Sequence, residues 1–508
     1  MKRRNRIRLL PGIWVLFIII AFPKQAGIWA NAGTELWIIP AVENSIRIVN
    51  GTFLGNASRN FYGDSLPSSL NVLMVVDLGK GETVVTREKG TEEWAGAGWT
   101  GQPLIVEENG EAFLIIGAYD HHLKKIRLSD GAMVWQYAFD DIIKGTGSIW
   151  FNREDRRTGN AYMILQGSRL GTEHSLSSPL VPSFRAISMS SGKALWKFNS
   201  RKTASYSRDV DGSALVLGDT VFIGLENGTF VVFHPGPTHV NFKQGMLQPG
   251  ICREYPLYNR QDELRHGGNL VTESSPCRLG DRIYITSGSG HVFGYNLKKK
   301  IIDWDFFTGS DMDGSPVVTD DSCLLVTLEK QYIQGPGGVL KLDPSRPPDS
   351  SVVWFFPTGS VSFNDWEGGI IGSACVNALS RGDNNPPLAA FTGIDGYLYV
   401  VRHDRVTKGK TVTGPDGRKK YPCPQLVFKY RTGPSISTPI IIGNRLLAAG
   451  YKGIYLFGFD HHLRFSLLSH FPAGCEATPF AYKGVVYVAS RNGKLYALGE
   501  NEKPVATE

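Results

Sequence analysis

The sequence predicts an all-β chain closed into an eight-bladed β-propeller with four-stranded antiparallel blades. Three observations predict it. A unit of short apolar segments recurs at roughly 40–60-residue spacing, the range of blade repeats. Glycine accounts for 58 of 508 residues, well above the usual share of roughly 7%, as expected of short strands joined by tight turns. The last unit is one strand short, and a strand without partners stands near the N-terminus.

Each unit opens on small and acidic residues that run into Ser/Thr-Pro or Gly-Ser. Three apolar strands follow, the last ending in an aromatic residue that is often Trp. The first unit runs Trp99–Pro103, Ala112–Asp120, His122–Leu128 and Asp130–Trp135. The second is weaker: Gly145–Trp150, Ala161–Gln166, Phe184–Ser188 and Ser191–Trp196. The third runs Arg208–Ala214, Thr220–Gly224 and Thr229–Phe233. The fourth is Glu273–Pro276, Arg282–Thr286, His291–Tyr295 and Ile301–Trp304. The fifth is Asp311–Pro316, Cys323–Leu328, Gly338–Leu342 and Val352–Trp354. The sixth is Glu367–Ala374, Leu388–Thr392, Tyr397–Val401 and Leu426–Tyr430. The seventh is Ser437–Pro439, Arg445–Ala449, Ile454–Phe457 and Leu463–Leu467. The eighth is Ala477–Pro479, Val485–Ala489 and Lys494–Leu498.

The eighth unit lacks its outer strand. Asn71–Leu78 has the look of one, with Met74 where Trp135 and Trp196 stand. Placing it there closes the ring and leaves no sheet edge open. The propeller then covers residues 68–498, with an N-terminal extension at 33–67 and a polar tail at 499–508. The extension is expected to lie over a face or flank, so that removing 33–66 is tolerated far better than removing 33–80. Two insertions, 234–267 and 403–424, are expected as surface loops.

The formal charge of +7 belongs mostly to the first 32 residues. Of 54 basic residues, six fall there and no acid does, so the rest balance 47 acids to within one charge. No basic stripe points to nucleic acid. A positive start, Lys2 to Arg8, precedes the apolar run Leu9–Phe22, and Ala30-Asn31-Ala32 fits a cleavage site. This is the pattern of a secretory signal peptide over 1–32. It predicts a secreted or periplasmic monomer with no membrane span after cleavage; an uncleaved membrane anchor is the alternative. The six cysteines form no CxxC, and their pairing stays open.

Ser191-Gly-Lys-Ala-Leu-Trp196 and the stretch Val485–Leu498 resemble the pyrroloquinoline-quinone-like propeller repeat. There a strand–turn–strand is followed by a Gly-x-x-x-Trp strand that docks blade to blade. The resemblance covers residues 68–498 and implies that Trp135, Trp196, Trp304 and Trp354 fill wedges between blades. The family holds quinoprotein alcohol dehydrogenases, a lipoprotein of the outer-membrane β-barrel assembly machine, and scaffold propellers. Fold does not choose among them.

The starts of the channel-lining strands are acidic. Arg208, Asp209, Asp211, Glu273, Asp311, Asp313 and Glu367 are the candidates for a central funnel. Gathered carboxylates are costly unless solvated, paired or bound to a cation. In the quinoproteins acids at this mouth hold calcium beside the quinone, so the resemblance nominates Asp209, Glu273 and Asp311 as calcium ligands. The bland alternative has these acids capping backbone amides of the next blade. No HExxH, Walker A loop or GxSxG elbow is present. The preferred function is a non-enzymatic module with no cofactor that binds a protein, peptide or glycan through a propeller face. The alternative is a quinone- and calcium-dependent oxidoreductase. The absence of two adjacent cysteines, seen under the quinone of many such enzymes, counts against it.

Overall fold

The structure, a computed structural model, describes residues 30–31, 35–36, 46–86, 89–153, 160–382 and 385–501. The leader at 1–29 and the tail beyond 501 lie outside the described residues. Ala30–Asn31 pairs antiparallel with Glu35–Leu36, and the propeller unit begins at Ile48. No helix among the described residues is long and apolar enough to cross a membrane.

The described residues form the eight predicted blades. Seven are continuous in sequence, from the blade of Leu104–Glu108, Glu111–Gly117, His122–Arg127 and Met133–Ala138 to that of Ile440–Ile442, Arg445–Gly450, Gly453–Phe459 and Phe465–Phe471. The eighth joins Phe480–Tyr482, Val485–Ala489 and Lys494–Gly499 to Asn71–Asp77. Lys494 faces Asp77 and Gly499 faces Asn71 in the register, so the two ends of the ring close one sheet as expected. Every third–fourth strand pair carries a register shift at its middle or end. A bulge there deepens the local twist in each blade.

The repeat's signature residues have physical reasons. Before five successive channel strands a Ser or Thr takes the backbone N–H of the preceding blade. Ser213 N donates to Ser275 Oγ at 2.8 Å, and Ser275 N to Ser315 Oγ at 2.8 Å. Ser315 N donates to Ser373 Oγ at 2.9 Å, and Ser373 N to Thr438 Oγ1 at 3.0 Å. Thr438 N continues to Thr478 Oγ1 at 3.3 Å. Hydroxyls thus stitch blade to blade around the channel, satisfying amides that no sheet reaches.

The docking tryptophans act between blades. Trp135, Trp196, Trp304 and Trp354 each donate Nε1–H to a backbone carbonyl of the next blade: Met189, Pro235, Arg346 and His403, at 3.0–3.1 Å. The turn glycine of the next blade makes room for the ring. A Cβ at Gly192 would sit 2.8 Å from Trp135, and one at Gly131 3.1 Å from Met74 Sδ. Met74 therefore takes the tryptophan's place at the closure.

Two segments depart from expectation. Residues 403–424 are no loose loop: they extend the sixth blade as a ribbon, Tyr397–Thr413 paired with Lys420–Arg431. Residues 234–267 hold a hairpin (Val240–Lys243, Met246–Pro249), the third blade's outer strand Ile251–Pro256, and a helix, Arg260–His266. Asn259 caps that helix through a capping box, and Gly267 ends it at φ 60°.

The extension lies deeper than a flank. Residues 48–66 plug one end of the channel and bond to all eight blades. Asn50 Nδ2 reaches Pro103 O, and Thr52 Oγ1 meets the Ser148 and Ser213 hydroxyls. Arg278 N and Val318 N donate to Ala57 O and Ser58 O. Val376 N donates to the Tyr62 hydroxyl, Arg445 to Leu66 O, and Ala481 N to Tyr62 O. Phe53 and Leu54 are fully buried. Gly63, at φ 131°, pairs with Ala481 so closely that any Cβ would collide with the Ala481 carbonyl oxygen.

Candidate functional site

The opposite mouth opens into a cavity of about 820 Å³. It is built from the turns before the channel strands and after the second strands of the blades. Glu273, Asp311, Asp313, Glu329 and Glu476 line it, with Trp94, Trp99, Tyr119, Tyr206, Trp366 and Tyr451. A hairpin of Lys80–Thr86 and Gly90–Ala95 adds Val85, Glu92 and Trp94 to the wall.

The carboxylates form two groups. Asp211, Glu226 and Glu273 make one; Asp311, Asp313 and Glu329 make the other. In each, one oxygen per residue lies within 4.8 Å of the others. Lys144 reaches the first group and ion-pairs with the fully buried Asp211. Burial works against the Lys144 charge, but Asp211, Glu273, Glu226 and Asp209 hold its proton above the usual lysine range. In the second group Asn269 Nδ2 donates to Asp311 Oδ2 at 2.6 Å. Asp311 Oδ1 and Asn269 Oδ1 are buried without a hydrogen-bond partner. Both flank Gly288, where a Cβ would lie 2.9 and 3.0 Å from them.

Four sequence candidates therefore converge: Asp211, Glu273, Asp311 and Asp313. The other three do not join them. Arg208 turns away and donates to Ser200 O at 2.6 Å and Ser178 O at 2.6 Å. Asp209 is a capping residue: it accepts from Leu170 N at 2.9 Å and pairs with Arg169 Nε at 2.8 Å. Glu367 is exposed and does not line the cavity. The nominated calcium set of Asp209, Glu273 and Asp311 is thus divided among three environments, because Arg169 claims the first and the two carboxylate groups claim the others.

Sequence reasoning missed Glu226, Glu329, Lys144 and Arg169. The two glutamates each directly follow a second strand, at Leu225-Glu226 and Leu328-Glu329. That matched offset was the signal available. Elsewhere in the mouth Glu476 is saturated by the Tyr119 hydroxyl at 3.0 Å, the Tyr451 hydroxyl at 2.9 Å and Arg491. Lys89 pairs with Asp365 across the rim. A third acidic group, Asp320, Asp321 and His403, is held by Arg381 on Asp320 and Lys341 on Asp321.

Burial pushes the uncompensated acids up. Glu273 rises to about 8, through burial and then the charges of Asp211, Asp311 and Asp209, against the opposing pull of Lys144. Asp311 rises to about 6, chiefly through burial. Glu226, Asp313 and Glu329 rise well above the usual range for the same reason. The folded chain thus holds protons that the unfolded chain releases above about pH 4.5. Stability is expected to fall as pH climbs from about 5 to 8. Glu273→Gln should flatten that fall in thermal melts, and an unchanged slope would refute the assignment.

No family model matches the chain, and no curated protein does. Solved structures do. A europium-containing methanol dehydrogenase superposes with a TM-score of 0.55 at 12% identity, covering 86% of this chain and 89% of that one. The chain has the quinoprotein-type propeller fold. The quinohemoprotein alcohol dehydrogenase from Comamonas testosteroni agrees, with a TM-score of 0.54, 11% identity, and coverage of 91% and 82%. BamB from Moraxella catarrhalis matches at 0.47 and 13% identity, covering 85% of this chain and 99% of that one. At such identities the shared property is the fold, and the fold does not say what a site binds.

Proposed function

We propose that this quinoprotein-type propeller is an exported, non-enzymatic binding module whose axial cavity receives the cationic part of a ligand. One observation carries the reading. The cavity is lined by buried and half-buried acids in excess of the cations that reach them, and Asp311 and Asn269 each hold a buried oxygen with no partner. Unpaired buried acceptors are costly, and a cation is the ligand that relieves them. Export rests on the leader pattern alone.

The donor set of Asp311, Asp313, Glu329 and the Asn269 oxygen also suits a hard divalent cation, which favours the oxidoreductase as the second reading. Calcium held there would supply Lewis-acid polarisation of a carbonyl oxygen. The quinone fits less well. It is an anion, and the cavity's cations Lys89, Lys144 and Arg491 are paired with Asp365, Asp211 and Glu476. No two of the six cysteines are adjacent in the sequence.

Titrating purified protein with quinone and calcium separates the readings. The expected result is no redox-active bound chromophore; its appearance overturns the binding module. Calorimetry should show saturable binding of cationic peptides, no binding of anionic ones, and loss of the signal in Asp311→Asn.

A further inference from the structure

The third and fifth blades carry the same acidic element. Asp209-Val-Asp211-Gly-Ser213 and Asp311-Met-Asp313-Gly-Ser315 share the pattern Asp-x-Asp-Gly-Ser. Each blade adds a glutamate directly after its second strand, Glu226 or Glu329. In both, the Ser amide donates to the hydroxyl of the next blade's Ser, at 2.8 and 2.9 Å. The backbone frames are therefore equivalent.

Their counter-charges are not. In the third blade Arg169 takes Asp209 at 2.8 Å, and the primary ammonium of Lys144 takes Asp211. In the fifth blade Asp311 meets the neutral amide of Asn269, and among the described residues no Lys or Arg is paired with Asp311, Asp313 or Glu329. Asp311 is 6% exposed and Asn269 4% exposed; both residues line the cavity, and each holds a buried oxygen without a partner.

We infer that the missing charge comes from outside, and that the Asp311, Asp313 and Glu329 group takes a primary alkylammonium of the ligand. This inference rests on the binding reading and narrows it to one ligand chemistry. Lys144 is the template: two blades away it already pairs its alkylammonium with Asp211 beside Glu226, the counterparts of Asp313 and Glu329. Tyr206 and Trp366 line the same cavity. Aromatic faces suit an alkyl stem and a cationic head. A lysine side chain of a polypeptide and a free diamine share this chemistry.

The test uses the full chain at about pH 8, where the ionised acids are most available and an alkylamine keeps its proton. The probes are cadaverine, the capped peptide acetyl-Gly-Lys-Gly-amide, its norleucine counterpart, and calcium alone. Cadaverine and the lysine peptide should bind saturably and raise the melting temperature; the norleucine peptide should do neither. Tighter binding of the peptide assigns a protein source, and tighter binding of cadaverine a free amine. Asp313→Asn should melt no lower than the unmodified protein yet weaken binding by about tenfold or more. Asn269→Lys, which brings an ammonium to Asp311 from within, should stabilise the chain and abolish binding. If calcium binds and neither amine does, the inference falls while a cation-binding cavity stands. If cationic peptides without lysine bind as well as the lysine peptide, the inference also falls. If no cation of any kind binds, the binding reading falls with it.

Discussion

Truncation through residue 66 is expected to unfold the ring, although the closing strand Asn71–Asp77 is retained. Phe53, Leu54, Tyr62 and Leu66 are almost wholly buried. Burying each large apolar side chain is worth about 1.5–3 kcal/mol, so the set reaches the scale of a whole domain's net stability, about 5–15 kcal/mol. Arg59 is the polar centre of the plug. It is fully buried and donates to Pro276 O at 2.9 Å, Phe53 O at 2.7 Å, Thr52 Oγ1 at 2.7 Å and Ser213 O at 3.1 Å. Burial lowers the guanidinium to about 10, so at neutral pH it keeps its charge and binds carbonyl oxygens of two blades at once. Arg59→Ala leaves those acceptors dry and should cost on the order of 3–5 kcal/mol. Chemical denaturation of Arg59→Ala, of the truncation through 66, and of a control truncation through 45 checks this. A cooperative melt of the 66 truncation near that of the control would restore the lighter role expected from sequence.

The fold was legible because a repeat shows each rule many times. Ser or Thr before a channel strand, Gly in the outer turn and Trp on the outer strand recur because each answers the neighbouring blade. The closure followed from one leftover strand. The plug was not legible. Residues 48–66 occur once, and their partners Pro103, Ser213, Pro276, Val318, Val376 and Ala481 are scattered over the chain. The acidic mouth was half legible. Offsets before channel strands found Asp211, Glu273, Asp311 and Asp313. They wrongly grouped Asp209 with these, because its counter-ion Arg169 sits in a loop of another blade. Arg169 also ties down the hairpin at Thr83 Oγ1, 2.9 Å away. Pairing by long-range geometry leaves no periodic trace.

Lys144 decides whether the mouth tolerates its own charge. Its ammonium pairs with Asp211, whose carboxylate is fully buried beside Glu226 and Glu273. Removing one partner of a buried pair costs about 3–5 kcal/mol, because the other charge is left uncompensated. Lys144→Met should therefore be strongly destabilising at about pH 8. The cost should shrink at about pH 5, where Asp211 and its neighbours escape by taking up protons. The sign follows from the acids: without Lys144 their folded-state values rise further above the unfolded ones, so stability is lost as pH rises. Adding Asp211→Asn to Lys144→Met should recover most of the loss at the higher pH, since the orphaned charge is gone. Urea denaturation at both pH values measures all three quantities. An equal loss at both would mean that Lys144 acts through packing of its stem, and the electrostatic account of the mouth would fail. A loss confined to the higher pH, rescued by Asp211→Asn, would identify the ammonium as the counter-ion that the equivalent acids of the fifth blade lack.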